Sequence, residues 1–144
     1  MQPYLALLVL ACLVVASTAI GLVLRRSSGR VRGSADDATP RISPADLGVD
    51  AVFGSAATLV QFSTSFCGQC PATRRMLGDL AMADGVAHVE VDVTDDIGLA
   101  ARFRIRQTPT TLLLDAAGRQ VARIGGIPRR AELQLSLAAL TATA

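Results

Sequence analysis

The sequence predicts an α/β domain, with a mixed central sheet flanked by helices, behind one N-terminal transmembrane helix. Three observations predict this class. The segment Tyr4–Leu24 contains no charged residue. Further along, short apolar segments alternate with helical patterns in the order β-α-β and then β-β-α, which is typical of a mixed sheet covered by helices. A Cys-x-x-Cys pair, Cys67 and Cys70, lies between the first strand and its helix.

Length and composition limit the possible functions. A chain of 144 residues has room for one domain and a short appendage. The net charge of +2, without a basic run interleaved with aromatic residues, argues against a nucleic-acid-binding protein. Three cysteines are too few for a small disulfide-stapled domain. Because Cys67 and Cys70 pair by spacing, Cys12 is expected to remain an unpaired thiol within the apolar segment.

The uncharged segment is long enough to cross a bilayer, because about 20 apolar residues span the hydrocarbon core as a helix. A cleaved signal peptide is the alternative, with Ser17-Thr18-Ala19 as its cleavage site. The positively charged region that normally opens a signal peptide is missing. We therefore expect a single-pass cell-membrane protein that contacts lipid through Tyr4–Leu24.

Four arginines follow this segment and no basic residue precedes it: Arg25, Arg26, Arg30 and Arg32. The positive-inside rule then predicts that the domain faces the cytoplasm. The extracytoplasmic face is the alternative, with the arginines only binding lipid headgroups.

Residues 25–40 are predicted to be a flexible tether, because Ser, Gly, Asp and Arg dominate there without apolar periodicity. Residues 41–141 are predicted to be the folded domain. Its predicted elements are, in order, a short helix opened by Ser43-Pro44, a strand over Thr58–Phe62, a helix over Pro71–Ala83, a strand over Val86–Val93, a helix over Thr94–Phe103 capped by Thr94 or Asp95, a hairpin of Thr110–Asp115 and Gln120–Ile124, and a helix over Pro128–Leu140.

The cysteine pair carries the predicted chemistry. A thiolate attacks disulfides and a thiol does not, so such a site must lower the pKa of one cysteine. Cys67 is predicted to face the unpaired N–H groups at the start of the following helix. Cys70, one turn further, is placed to resolve a mixed disulfide. A metal site is the alternative, but zinc normally takes four Cys or His ligands, and the domain offers two cysteines and His88.

Four segments resemble the thioredoxin superfamily, in particular its membrane-tethered bacterial members: Thr58–Pro71, Val89–Phe103, Thr108-Pro109-Thr110 and Gly125-Gly126. The resemblance implies a thioredoxin fold, with Cys67 as nucleophile and Cys70 as resolving cysteine. It also implies that Pro109 follows a cis bond and that Thr108 offers backbone hydrogen bonds to a substrate. The residues implied to contact a substrate are Phe66, Gly68, Gln69, Thr108, Pro109, Gly125 and Gly126.

The sequence departs from the family pattern at several positions. Phe66 replaces the usual Trp, Gln69 replaces Pro between the cysteines, and Arg75 replaces a helix-kinking proline. Gln61 occupies the position of a buried Asp that accepts the proton of the resolving cysteine. Because a neutral Gln cannot act as a base, we expect Glu90 to accept that proton with a raised pKa, and Gln61 to orient it. The alternative is that Glu90 reaches solvent and pairs with an arginine.

These observations predict a membrane-anchored thiol–disulfide oxidoreductase, with a reductase expected rather than an oxidant. Its partners would be protein disulfides or dithiols and an upstream electron donor, and the redox-active Cys67–Cys70 pair would need no cofactor or metal. We expect a monomer. Two other functions remain open, a protein-binding module with little redox activity and a metal carrier that uses the two cysteines.

Overall fold

The computed structural model describes residues 3–27, 29–33 and 41–143. Of the predicted tether, residues 28 and 34–40 lie outside this part. The elements are α1 (Pro3–Ser27), β1 (Arg32–Gly33), a 3₁₀ helix (Pro44–Leu47), β2 (Ala57–Ser63), α2 (Cys70–Leu80), β3 (Val86–Asp92), α3 (Ile97–Arg102), β4 (Thr110–Asp115), β5 (Gln120–Gly125) and α4 (Arg130–Thr141).

Within the described residues the strands form one five-stranded mixed sheet in the order β1-β5-β4-β2-β3. Strands β2 and β3 are parallel, since the helix α2 connects them, whereas β4 and β5 form the predicted antiparallel hairpin. Strand β2 lies between β3 and β4 and is buried along its whole length. The sheet therefore has the mixed arrangement that the sequence predicted.

Apolar residues cover both faces of the sheet. On one face, Leu59 of β2 packs with Leu77 of α2 and Leu133 of α4. On the other face, Phe62 of β2 packs with Val91 of β3 and with Phe103, at the end of α3. Successive residues of a strand point to opposite faces, so β2 contributes to both cores and places Gln61 on the side of α2 and α4.

Helix α1 is long and apolar enough to cross a membrane. None of its apolar span, Tyr4–Leu24, is buried against the rest of the protein, and Cys12 is exposed as a free thiol. The helix continues through Ser27 and therefore includes the backbone of Arg25 and Arg26.

The structure differs from the predicted elements at their ends. Helix α3 begins only at Ile97, because Asp96 is its N-cap and accepts a hydrogen bond from the Leu99 N–H at 2.7 Å. The predicted cap at Thr94 or Asp95 is wrong, since the Thr94 hydroxyl accepts a hydrogen bond from the Ser65 N–H instead. Part of the predicted tether, at Arg32–Gly33, forms strand β1 on the edge of the sheet.

Candidate functional site

Cys67 and Cys70 form a disulfide at the start of α2, with their Cα atoms 5.4 Å apart. Cys67 lies in the turn before the helix and is half-buried, whereas Cys70 is the first helical residue and only 2% exposed. Hydrogen bonds from the Cys67 N–H to the Thr64 carbonyl (3.1 Å) and from the Cys70 N–H to the Cys67 carbonyl (3.2 Å) form this turn. Of the two cysteines, Cys67 is thus accessible to solvent and Cys70 is shielded from it.

Gln61 lies directly behind the pair and is fully buried. Its Nε2 donates a hydrogen bond to the Cys70 carbonyl at 3.1 Å, so its Oε1 points the other way, to His88 Nε2 at 3.2 Å. A carbonyl oxygen can only accept, and His88 Nε2 must therefore carry the hydrogen. Burial lowers the pKa of His88, the Glu90 carboxylate opposes this shift, and Arg74 adds to it.

Glu90 is the register partner of Gln61 on β3, but its carboxylate pairs with Arg74 of α2 at the surface. Arg74 Nη2 donates to Glu90 Oε1 at 2.8 Å. Burial by itself would raise the pKa of Glu90, yet hydrogen bonds from Arg74 and Ser63 outweigh it and the pKa is lowered. The raised pKa expected from the sequence is wrong, and the geometry is that of the arginine-pair alternative.

The bond between Thr108 and Pro109 is cis, which confirms the predicted isomer. Two contacts join this turn to the rest of the site. The Thr108 and Thr64 hydroxyls lie 3.1 Å apart, and the Gly126 N–H donates to the Pro109 carbonyl at 2.8 Å. The turn that precedes Cys67, the cis-proline turn and the Gly125-Gly126 turn are therefore in direct contact.

Glycine at positions 125 and 126 meets two different structural conditions. A Cβ at Gly125 would lie 2.4 Å from Gln107 Nε2, so a larger residue there would require the flexible Gln107 side chain to move. Gly126 has a φ of 84°, which L-residues with a side chain rarely adopt. By contrast, a Cβ at Gly68 would meet no atom within 4 Å. Gly68 therefore leaves open space beside the disulfide rather than relieving a clash.

The surface around the disulfide is accessible to a partner. Phe66, immediately before Cys67, is 90% exposed, and Gly68 and Gln69 are exposed as well. Thr108, at the cis-proline turn, is half-buried, and Pro109 is buried. Because burying an exposed aromatic ring lowers the free energy, the Phe66 ring is suited to a contact with another protein.

Sequence reasoning missed two polar residues near Gln61. It assigned the contact with Gln61 to Glu90, whereas His88, on the same face of β3 and two residues earlier, makes it. Thr111 pairs with Gln61 in register, and its buried hydroxyl has no hydrogen-bond partner among the described residues. The alternation along β3 correctly predicts that His88 and Glu90 lie on the same face of the sheet. It does not predict the direction in which a long side chain leans, and this direction decides which of the two contacts Gln61.

A metal centre finds no support in the described residues. They contain no group of three or more His, Cys, Asp or Glu side chains that could hold a metal ion. His88, the third ligand considered from the sequence, makes its contact with Gln61.

Comparison with known proteins shows which family the domain resembles. The thioredoxin family model matches residues 49–139. The chain belongs to the thioredoxin family. A thioredoxin from Mycolicibacterium smegmatis is 31% identical over 104 residues, which cover 69% of this chain and 92% of that protein.

Solved thioredoxins have the same fold. A thioredoxin mutant from Halobacterium salinarum NRC-1 is 25% identical with a TM-score of 0.54, over 60% of this chain and 76% of the other. Chloroplastic thioredoxin z is 26% identical with a TM-score of 0.54, over 61% and 80% of the two chains. The protein is thus a thioredoxin-family redox protein, a class that acts on protein disulfides, with Cys67 and Cys70 at disulfide distance.

Proposed function

We propose that this chain is a membrane-anchored thiol–disulfide oxidoreductase that reduces disulfides of partner proteins. The observation that carries the proposal is the Cys67–Cys70 disulfide at the start of α2, in contact through Thr64 with the cis-proline turn. The anchor is α1, which no other described element covers. The arginines that follow its span favour the cytoplasmic face, and a C-terminal phosphatase fusion that is active only after export would test this side.

The proposed reaction needs only the two cysteines and a partner disulfide. The Cys67 thiolate attacks one sulfur of that disulfide, forms a mixed disulfide and expels the first partner thiolate. The Cys70 thiolate then attacks Cys67 Sγ, which releases the second partner thiolate and forms the Cys67–Cys70 disulfide. Two electrons pass to the partner, and an upstream dithiol donor returns the pair to its reduced form. No cofactor or metal enters these steps.

The remaining residues of the site have binding or positioning parts in this proposal. Phe66, Gly68 and Gln69 form the accessible rim beside the disulfide. Thr108, preceding the cis bond, would offer its backbone to an extended segment of the partner, beside the turn at Gly125 and Gly126. Gln61 positions Cys70 by donating a hydrogen bond to the Cys70 backbone carbonyl, and His88 positions Gln61 by binding its Oε1. The working unit is a monomer.

Trapping tests the proposal directly. In the Cys70→Ser variant of the full-length protein, Cys67 should remain linked to partner proteins as a mixed disulfide that dithiothreitol releases. The Cys67→Ser variant is the matched control and should trap nothing. Alkylation of the reduced wild-type protein should modify Cys67 first, because Cys70 is shielded. Preferential alkylation of Cys70, or equal trapping by both variants, would contradict the assignment.

Binding without exchange would have a different signature. If wild-type protein retains partners that dithiothreitol does not release, and does not reduce insulin disulfides, the protein-binding alternative would replace the proposal. The neutral Gln61 is the one observation that favours it, since this side chain cannot accept a proton from Cys70.

A further inference from the structure

The segment Gly29–Gly33, directly after α1, is bound to the thioredoxin domain. The Gly29 N–H donates to the Gly125 carbonyl at 2.8 Å, and the Arg129 N–H donates back to the Gly29 carbonyl at 3.2 Å. Arg32 and Gly33 then pair antiparallel with Arg123 and Ala122 of β5. The segment therefore continues the sheet on the edge that leads to the Gly125-Gly126 turn.

A side-chain contact reinforces this docking. The Val31 N–H donates to Glu132 Oε2 of α4 at 3.2 Å. That hydrogen bond lowers the pKa of Glu132, burial opposes the shift, and Arg129 and Arg30 act in the same direction as Val31. The carboxylate is therefore ionised at neutral pH and remains an acceptor for the docked backbone.

Gly29 fits this place because it has no side chain. Its φ is 74°, and a Cβ there would lie 2.3 Å from the Ile127 carbonyl oxygen. At Gly33, in the same segment, a Cβ would meet nothing within 4 Å. The close approach at Gly29 is thus specific to the docking contact and is not a general property of a glycine-containing linker.

Chain connectivity sets how far the docked domain can lie from the membrane. The apolar span ends at Leu24 and α1 ends at Ser27, a rise of about 5 Å at 1.5 Å per residue. Gly29 follows two residues later, at most about 7 Å further at roughly 3.6 Å per residue. Gly29 therefore lies within about 12 Å of the end of the span, whatever the path between them.

A short series of contacts leads from Gly29 to the cysteines. Gly29 binds Gly125, and the next residue, Gly126, binds the Pro109 carbonyl. Thr108 contacts Thr64, whose carbonyl accepts the Cys67 N–H. The docked segment is thus bound to the side of the domain where the redox pair lies.

We propose that the docking of Gly29–Gly33 holds the Cys67–Cys70 site at the membrane surface, so that the partner is a membrane protein whose disulfide lies close to the bilayer. This rests on the proposed anchored exchange and specifies its substrate class. Without docking, the roughly 12 residues from Gly29 to the folded domain could extend by about 40 Å, and distant disulfides would be within reach.

Two synthetic transmembrane peptides in vesicles with the reduced full-length protein test the proposal. One carries an intramolecular disulfide next to its membrane span. The other carries the same disulfide beyond a rigid helical spacer of about 20 residues, or roughly 30 Å. Exchange transfers two electrons from Cys67 and Cys70 to the peptide and leaves the protein disulfide oxidised. The near peptide should react about tenfold faster or more, because its effective concentration at the site is higher.

Gly29→Ala is the decisive variant and Gly33→Ala its matched control. Gly29→Ala should undock the segment and reduce the near-to-far rate ratio towards one, whereas Gly33→Ala should keep the wild-type ratio. A soluble aromatic disulfide should react at the same rate with all three proteins. Equal wild-type rates for the two peptides, or a wild-type ratio in Gly29→Ala, would overturn the inference while the proposed function stands. Failure to reduce even the soluble disulfide would overturn the proposed function and the inference with it.

Discussion

His88 Nε2 lies 3.2 Å from Gln61 Oε1, and Gln61 Nε2 in turn donates to the Cys70 carbonyl. The three residues belong to β3, β2 and α2. This series of hydrogen bonds therefore runs along one face of the sheet, from β3 over β2 to the resolving cysteine. Each side chain has a defined direction of donation. The amide orientation of Gln61 and the protonated nitrogen of His88 therefore follow from one network.

A double-mutant cycle measures the coupling between these two side chains. Gln61→Leu alone leaves the His88 N–H and the Cys70 carbonyl without their partner and should lower the free energy of unfolding by about 1–3 kcal/mol. With His88→Leu in addition, the coupling energy should be about 0.5–1.5 kcal/mol, measured by urea unfolding at pH 7.5. Strictly additive effects would show that the hydrogen bond does not form in solution.

The pH dependence of stability isolates His88, the single histidine of the chain. Its pKa is lowered in the folded protein by burial, against the pull of Glu90 and together with Arg74. The unfolded chain therefore binds the proton first as the pH falls, and stability is lost from about pH 6.5 down through the folded pKa. His88→Gln should remove this loss, whereas an unchanged slope in that variant would assign it to other groups.

Glu90→Gln should leave the rate of mixed-disulfide resolution unchanged. The carboxylate is engaged with Arg74 at the surface, and its pKa is lowered rather than raised, so it is a poor proton acceptor. Loss of this exposed pair should cost about 0–1 kcal/mol of unfolding free energy. Arg74→Gln is the matched control, since it breaks the same pair and leaves the carboxylate. A slower resolution step in Glu90→Gln alone would restore the catalytic role expected from the sequence.

Two adjacent threonines of β4 provide another matched pair. The buried Thr111 hydroxyl has no partner within the described part of the chain, whereas the Thr110 hydroxyl donates to the Gln107 carbonyl at 2.8 Å. Thr111→Val should stabilise the protein by about 1 kcal/mol, because it removes a buried polar group without a hydrogen bond. Thr110→Val should destabilise it by a similar amount. Thermal unfolding of both variants gives the comparison, and equal losses would mean that Thr111 has a partner in solution.

The sequence predicted most of the fold because its signals are local. Alternating valines identify β3, the uncharged span identifies α1, and the cysteine pair between a strand and a helix identifies the redox site. The raised pKa expected for Glu90 was wrong, and the contact between His88 and Gln61 was missed, because both depend on how two parallel strands and α2 pack together. The docking of Gly29–Gly33 could not be predicted from the local sequence either. The two residues Arg32 and Gly33 form a strand only because they pair with the edge of β5, which is distant in sequence.

The redox potential of the Cys67–Cys70 pair tests the central claim most directly. It is measured on full-length protein equilibrated in dithiothreitol and glutathione buffers, with the thiol state read by alkylation. The proposed reductase predicts a reversible two-electron transition at a low potential, in the region of the roughly −270 mV of thioredoxin. A potential near the −120 mV of a strong oxidant would contradict the direction of exchange. A disulfide that no buffer reduces would contradict the exchange itself.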